Sequence, residues 1–184
     1  SRVSLERTQA MAEEHARRYC RERFSGLERT SRQDYLLERN MRELQAVVRE
    51  LWEELAQSRF QPAGFEVRFG PGGAMPAVEI PGCAMPAQLR GFVDRLDLYR
   101  RDGETYVRVV DYKTGRKDFD YCDVLHGLGL QMLLYLFALE DSGRAYLGVS
   151  PEAAGVLYFP ARAPVLPADG PVEAEQARLL RQKE

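Results

Sequence analysis

The sequence predicts an α/β or α+β domain in which helices pack on a sheet of mostly antiparallel strands. Three observations support this fold class. Before about residue 60, apolar side chains recur at three- and four-residue steps, as they do along amphipathic helices. From Pro62 onward they alternate every second residue, which is typical of half-buried strands. The last part of the chain adds one helical pattern and one further strand.

The composition is that of one globular domain. The chain has 184 residues, 45% hydrophobic and 29% charged, and about 150 residues is an ordinary domain length. No segment has the roughly 18 consecutive apolar residues that cross a bilayer, and the first residues form no apolar signal region. We therefore expect a soluble, cytoplasmic protein with no membrane contact. The net charge of -2 argues against nucleic-acid binding by charge alone, so such contact should be local or supported by a partner.

Two helices are predicted at the start of the chain. The first spans residues 4 to 23 and carries one stripe, expected to be buried, that includes Leu5, Met11, His15 and Tyr19. The sequence Ser31-Arg-Gln-Asp34 resembles a capping signal and predicts a second helix over about residues 32 to 58. The apolar positions of this helix are Leu37, Met41, Leu44, Val48, Leu51 and Leu55. Its mixed-sign face, which includes Glu54, is expected to be solvated.

The middle and end of the chain predict the sheet. Phe65, Val67 and Phe69 should share the buried side of a first strand, with Glu66 and Arg68 on the solvent side. The turn Arg101-Asp102-Gly103-Glu104 should join two long strands into an antiparallel hairpin. The remaining predicted elements are a short strand over residues 77–80, the hairpin strands over 89–100 and 105–113, a helix over 124–139 that ends at Ser142-Gly143, and a strand over 154–159.

The same patterns predict the domain organisation. We expect residues 1–160 to form one domain, with a helical part over 1–60 and the sheet and active-site helix over 61–160. Residues 161–184 are rich in proline and charge, and they are expected to be a C-terminal extension with little order of its own.

Two aspartates and a lysine are predicted to meet where two paired strands end. Asp111 and Lys113 are two residues apart on one strand, so their side chains point to the same face, and Asp94 lies on the neighbouring strand. A carboxylate after an apolar run is costly unless it is paired or binds a cation. Mg²⁺ takes oxygen ligands, so Asp94, Asp111 and the Tyr112 carbonyl form a candidate metal site. Lys113 would position the attacking water or offset charge in the transition state.

Asp97 has a different predicted role. It lies an odd number of residues from Asp94, so the pleat places it on the opposite face of the strand. An ion pair with Arg95 or Arg108 is the expected role there, rather than metal binding.

The central motifs resemble the RecB-like branch of the PD-(D/E)xK nuclease superfamily. They are Gly91-Phe-Val-Asp94-Arg-Leu-Asp97, Val109-Val-Asp111-Tyr-Lys113-Thr-Gly115 and Gln131-Met-Leu-Leu-Tyr135. Together with Phe65-Glu-Val-Arg-Phe69 and Gly155-Val-Leu-Tyr-Phe159, they are most similar to the C-terminal nuclease domain of AddB-type subunits of bacterial ATP-dependent helicase-nucleases. The resemblance covers most of the chain. It implies a restriction-endonuclease-like core, with a central mixed sheet flanked by helices.

The resemblance also implies an activity and a set of site residues. The activity is Mg²⁺- or Mn²⁺-dependent DNA hydrolysis by an exonuclease domain, in a helicase-nuclease that acts in double-strand-break repair by homologous recombination. A helicase partner subunit would deliver the single strand. The residues it implies are Asp94, Asp111 and the Tyr112 carbonyl as metal ligands, Lys113 as the catalytic lysine, and Gln131 and Tyr135 as residues that orient the scissile strand.

Several of these residues have a second interpretation. Gln131 and Tyr135 share a helix face, but a core tyrosine with a hydrogen-bonded hydroxyl would show the same pattern. Lys117, just after the motif, would touch phosphate or lie in a solvated loop. Glu66 is most simply a solvent-side strand residue, with an accessory role near the metal as the alternative. His15 is more simply a partly buried histidine than a ligand.

Two features of the resembled family have no counterpart in this chain. The upstream metal ligand, a histidine or glutamate on an early helix, is not recognisable, and we expect it to lie before Ser1. The family also carries four cysteines that bind an iron-sulfur cluster, an arrangement that Cys20, Cys83 and Cys122 do not fit. We therefore expect a nuclease core without the cluster. The rival interpretations are an inactive nuclease-fold module that guides DNA or scaffolds a repair complex, and a different metal-dependent phosphoesterase.

Overall fold

The computed structural model describes residues 3–25, 30–80, 87–115, 126 and 129–161. The elements in these ranges are α1 (Leu5–Arg23), α2 (Ser31–Gln57), β1 (Gln61–Phe69), β2 (Val78–Ile80), β3 (Ala87–Leu89), β4 (Gly91–Arg101), β5 (Glu104–Lys113), α3 (Gln131–Ser142), α4 (Arg144–Leu147) and β6 (Glu152–Pro160). The chain divides into two compact units. Among the described residues, the first ends at Glu50 and the second is Leu51–Ala161. The proposed extension beyond residue 161 lies outside the described ranges, and the predicted domain organisation stays a prediction.

The two long helices form where the sequence predicts them. Ser4 caps α1, since its hydroxyl accepts a hydrogen bond from the Arg7 N–H at 3.3 Å. The cap of α2 lies one residue earlier than predicted. Thr30 and Gln33 form a reciprocal capping box, with the Thr30 N–H donating to Gln33 Oε1 at 2.9 Å and the Gln33 N–H donating to Thr30 Oγ1 at 3.3 Å.

The predicted buried stripe of α1 is wrong, because none of the residues of α1 is buried. Tyr19 is well exposed, and so is His15, whose Nδ1 lies 2.6 Å from Arg18. Polar side chains of α1 and α2 contact each other. Gln9 and Gln45 bond to each other's main chain, and the Arg17 guanidinium pairs with Glu38 at 3.0 Å.

The second unit is built on a four-stranded mixed sheet in the order β1-β4-β5-β6. β4 pairs antiparallel with β1 and with β5, whereas β6 runs parallel to β5. The predicted hairpin between β4 and β5 is confirmed: Asp102 and Gly103 have φ of 52° and 88°, as the two central residues of a type I′ turn require. The parallel β6 is reached through α3, which packs against β5 and β6.

Two boundaries and the burial of one residue differ from prediction, each for a local reason. The strand predicted over 89–100 is two strands, because β3 pairs with β2 in a separate two-stranded sheet. Phe65 is 66% exposed instead of buried, since Glu66 has a φ of 48° that interrupts the regular alternation. Residues 124, 125, 127 and 128 of the helix predicted from residue 124 lie outside the described ranges. In the described part, the helix begins at Gln131, after Gly129 with its φ of 70°, which no residue inside an α-helix adopts. It ends at Ser142, as predicted.

The core of the second unit lies between α3 and the sheet. Tyr135, Leu136 and Leu139 of α3 form one buried cluster with side chains of β1, β4 and β5, among them Leu96 and Val109. The structure confirms the predicted central mixed sheet with helices packed on it. This core fixes the start of α3 near the start of β4 and the end of β5, where the candidate catalytic residues lie.

Candidate active site

Asp94 lies where the pairing of β4 with β5 ends. The last paired residues at that end are Arg95 and Val110, so Asp94 and Asp111 are the next residues of the two strands. Beyond this point the Asp94 side chain links the two strands, because its Oδ2 accepts a hydrogen bond from the Tyr112 N–H at 2.7 Å. This bond fixes the orientation of one carboxylate at the point where the two strands part.

Asp111 and Lys113 form a close ion pair at the end of β5. The Lys113 ammonium lies 2.5 Å from Asp111 Oδ2, and the Asp111 side chain is largely buried while that of Lys113 is partly exposed. The two side chains meet on one face, as strand alternation predicts. The Lys113 carbonyl also accepts a hydrogen bond from the Ala161 N–H at 2.7 Å, which fixes the backbone at the lysine.

Tyr158 on β6 borders this ion pair. The Lys113 ammonium lies 5.8 Å from the centroid of its ring, within the range of a cation–π contact. Burial raises the pKa of Tyr158, and the negative charge of Asp111 raises that pKa further, while Lys113 lowers it. The hydroxyl is therefore neutral at physiological pH.

Tyr112 points its side chain to the face opposite the ion pair. Its hydroxyl accepts a hydrogen bond from Arg95 Nη1 at 3.0 Å. Burial raises the pKa of Tyr112, although the nearby Arg95 charge acts in the opposite direction. A single residue thus contacts both faces of the sheet, with its amide on Asp94 and its hydroxyl on Arg95.

Four charged side chains behind Tyr112 form what we call the ion-pair network: Arg95, Asp97, Arg108 and Glu54. Arg95 Nε lies 2.8 Å from Asp97 Oδ1, and Arg108 Nη2 lies 2.6 Å from Asp97 Oδ2. The Glu54 carboxylate, on α2, forms ion pairs with both arginines, at 3.2 Å from Arg95 and 2.8 Å from Arg108. The ion-pairing role predicted for Asp97 is confirmed, with both candidate arginines as partners.

The sequence interpretation missed Glu54. It was assigned to the solvated face of its helix, yet its carboxylate is the second anion of the ion-pair network. A signal was present, because Glu54 is three residues after Leu51 and directly before Leu55, and so borders the apolar stripe. An acidic residue beside such a stripe can reach a buried arginine.

Gln131 and Tyr135 differ in what they can contact. Gln131, the first residue of α3, is exposed, and its Nε2 donates to the Tyr135 hydroxyl at 3.3 Å. Tyr135 is fully buried, and its ring stacks on Phe69 with 4.5 Å between the centroids. In this arrangement Gln131 is open to a substrate, whereas Tyr135 reaches the surface only through its hydrogen bond to Gln131.

Comparison with known proteins identifies the family. Residues 2–183 match the PD-(D/E)XK nuclease superfamily. The chain belongs to this superfamily. Relatives named as subunits of an ATP-dependent helicase/deoxyribonuclease include one from Symbiobacterium thermophilum, 43% identical over 81% of the chain, one from Moorella thermoacetica, 38% identical over 86%, and one from Caldanaerobacter subterraneus, 40% identical over 82%. The matched part is 13% to 14% of the length of each of these three relatives.

PD-(D/E)XK nucleases generally use divalent metal ions, and the donor atoms found here suit such an ion. Asp94 and Asp111 offer carboxylate oxygens, and Mg²⁺ commonly takes one or two carboxylates and completes its shell with water and substrate phosphate. Across the described ranges, no three or more acidic, histidine or cysteine side chains are grouped as a metal site. The metal site predicted at Asp94, Asp111 and the Tyr112 carbonyl stays a prediction.

Some predicted residues lie outside the part of the chain that the structure describes. These are Lys117, Cys83 and Cys122. Glu66 is exposed, in agreement with its interpretation as a solvent-side residue. Every helix in the described ranges is too short or too polar to cross a membrane.

Gly91, the first residue of β4, is required by the packing of Tyr135. An added Cβ there would lie 2.3 Å from the Tyr135 hydroxyl oxygen. We expect Gly91→Ala to lower the free energy of unfolding by about 2 kcal/mol, because the fully buried tyrosine has no room to move away. Urea unfolding followed by the fluorescence of Trp52, the single tryptophan, measures this change.

Gly155→Ala is the matched control for this prediction. Gly155 has the same φ of 157°, but a Cβ added there meets no described atom within 4 Å. The backbone cost of the two substitutions is therefore similar, and the difference between them reports the contact with Tyr135. Equal losses of stability in the two variants would contradict the steric explanation.

Proposed function

We propose that this chain is the deoxyribonuclease domain of a helicase-nuclease subunit, and that it hydrolyses phosphodiester bonds of a DNA strand with the help of Mg²⁺ or Mn²⁺. The observation that carries the proposal is the arrangement near the start of β4 and the end of β5. Asp94 is held by the Tyr112 amide, and Asp111 is paired with Lys113 at 2.5 Å on the same strand. The superfamily match and the names of the relatives support it.

Asp94 and Asp111 would hold the metal, and the Tyr112 carbonyl would add a third oxygen. When bound, the metal supplies a Lewis acid for the phosphoryl oxygen and lowers the pKa of water. Lys113 brings a positive charge to the same face, where it stabilises the negative charge that develops as water oxygen attacks phosphorus and the bond to the leaving oxygen breaks. Because Asp111 holds the ammonium in place, little reorganisation is needed in the transition state.

Gln131 would position the substrate strand. It is the exposed polar side chain at the start of α3, and its amide group can donate to and accept from a nucleotide. Tyr135 supports it from the core through the 3.3 Å hydrogen bond between them. Lys117, two residues after Gly115, is proposed as a phosphate contact.

The charge of the chain favours a substrate that is delivered to it. With a net charge of -2, the domain has little general attraction for DNA. A helicase partner that feeds a single strand into the site removes the need for tight autonomous binding. We therefore propose exonucleolytic cutting behind a motor, in repair of double-strand breaks by homologous recombination. Such an activity belongs in the cytoplasm of a bacterial cell.

The experiment that tests the proposal is cleavage of end-labelled DNA by the complete subunit with its partner and ATP. Cleavage should stop when EDTA removes divalent ions and return when Mg²⁺ or Mn²⁺ is added. Asp94→Asn and Asp111→Asn should each abolish the metal-dependent cleavage while the helicase activity continues. This last comparison separates loss of the nuclease from loss of the assembly.

Two other results would favour the rival functions. Absence of metal-dependent cleavage in the wild type, together with loss of DNA binding or assembly in the two aspartate variants, would support an inactive module that guides DNA. Faster hydrolysis of a small phosphodiester than of DNA would support another phosphoesterase.

A further inference from the structure

We infer that Tyr112 is a positioning residue that couples the ion-pair network on one face of the sheet to the metal-binding aspartates on the other. The inference rests on the proposed function, because it concerns how that site is held. It gives a role to a buried set of charges that the hydrolysis itself does not use.

The ion-pair network is buried and directional. Arg95 and Asp97 are 1% and 0% exposed, and the two arginines balance the two carboxylates. Burying an ion pair costs so much desolvation that apolar side chains of the same volume often stabilise a fold equally well. A gain in stability alone is thus a weak explanation for the charged side chains of the ion-pair network. What charged side chains add is a fixed orientation, since the Arg95 guanidinium is bound to both Asp97 and Glu54.

The oriented guanidinium in turn fixes the Tyr112 side chain. Arg95 Nη1 donates to the hydroxyl at 3.0 Å, and the guanidinium carbon lies 5.8 Å from the centroid of the ring. On β6, the Phe159 ring meets the Tyr112 ring edge-on, with 5.8 Å between centroids and 81° between planes. The tyrosine is therefore held both at its tip and on its ring.

The Tyr112 main chain carries this constraint to the active site. Its N–H holds Asp94 Oδ2 at 2.7 Å, and the residues before and after it are Asp111 and Lys113. A shift of Tyr112 would move the anchor of one metal-binding carboxylate and the backbone of the other. Outer groups that orient metal ligands typically change metal affinity or activity by about 10- to 100-fold when they are replaced.

Tyr112→Phe is the direct test, with Tyr99→Phe as its control. The Tyr99 hydroxyl also accepts a hydrogen bond from an arginine, Arg59, at 3.4 Å, but Tyr99 lies towards the far end of β4. Mn²⁺ binding to the full chain without DNA is measured by electron paramagnetic resonance. We expect Tyr112→Phe to weaken Mn²⁺ binding by about 10-fold, and Tyr99→Phe to leave it unchanged.

Kinetics of the complete enzyme add a second measurement. Because the aspartates themselves remain, saturating Mn²⁺ should restore most of the cleavage rate of Tyr112→Phe, so the Mn²⁺ concentration for half-maximal rate changes more than kcat. Glu54→Gln provides an independent variant at the more exposed edge of the ion-pair network, where an acceptor is retained. It should weaken Mn²⁺ binding in the same direction, and combining it with Tyr112→Phe should add little.

The possible results separate this inference from the proposed function. Wild-type Mn²⁺ affinity in Tyr112→Phe, or an equal loss in Tyr99→Phe, would overturn the inference and leave the nuclease proposal intact. If the wild-type chain binds no Mn²⁺ and the complete enzyme cleaves DNA without metal, the proposed function fails and the inference fails with it. Unfolding curves of the three variants show whether a loss of binding reflects a loss of fold.

Discussion

Replacement of Lys113 by alanine is expected to lower the rate of DNA cleavage by at least about 100-fold, the usual cost of removing one group that stabilises transition-state charge. The ammonium lies 2.5 Å from Asp111 Oδ2, so it is already held next to one of the two proposed metal-binding carboxylates. The loss should appear in kcat at saturating Mg²⁺. The measurement is a single-turnover rate with the complete helicase-nuclease, which separates cleavage from DNA binding and from translocation.

Arg101→Ala is the control for Lys113→Ala, because it also removes one positive charge from the sheet but at a site away from Asp111. Arg101 ends β4 at the hairpin turn, and its side chain is 64% exposed. Its removal should leave the cleavage rate unchanged. Lys113→Arg keeps the charge but changes its shape and reach, so it should recover only part of the rate. Cleavage by Lys113→Ala at the wild-type rate would contradict the role of Lys113 and the nuclease proposal that depends on it.

The face that carries Asp111 and Lys113 was predictable because strand alternation is a strict geometric rule. Two residues on one strand with one residue between them share a face, which brought Asp111 and Lys113 together and separated Asp97 from Asp94. The type I′ turn at Asp102-Gly103 fixed the register of the hairpin. These local rules do not depend on what packs above the sheet, and the structure agrees with them.

The contacts between distant parts of the chain were not predictable in the same way. Glu54 pairs with arginines that lie 41 and 54 residues further along the chain. The local pattern shows that Glu54 borders an apolar stripe, but it does not show which arginines the carboxylate meets. The exposure of Phe65 follows from the positive φ of Glu66, a conformation that residues other than glycine seldom adopt. Tyr135 shows most clearly what a sequence pattern cannot decide. Its separation of four residues from Gln131 would be the same for a surface tyrosine and for a core tyrosine.

Asp97→Asn should cause the largest loss of stability among the changes considered, about 3 kcal/mol in the free energy of unfolding. The substitution keeps the size of the side chain but removes a negative charge that two arginines share, at 2.8 Å and 2.6 Å. Arg95 is 1% exposed and water cannot replace the missing partner. Glu54 would then be the single carboxylate facing two guanidinium groups. Urea unfolding followed by Trp52 fluorescence measures the change near this network.

Asp102→Asn makes the same chemical change in an exposed ion pair. Asp102 pairs with Arg101 at 2.9 Å, a distance close to that between Asp97 and Arg95, but its side chain is 81% exposed. Asparagine also accepts the positive φ of this turn position. Water replaces the lost charge there, so the unfolding midpoint should not move. If the two variants lost equal stability, the burial of Asp97 would not be the cause of its loss. If Asp97→Asn alone is destabilised, the ion-pair network is a buried unit whose charges depend on one another.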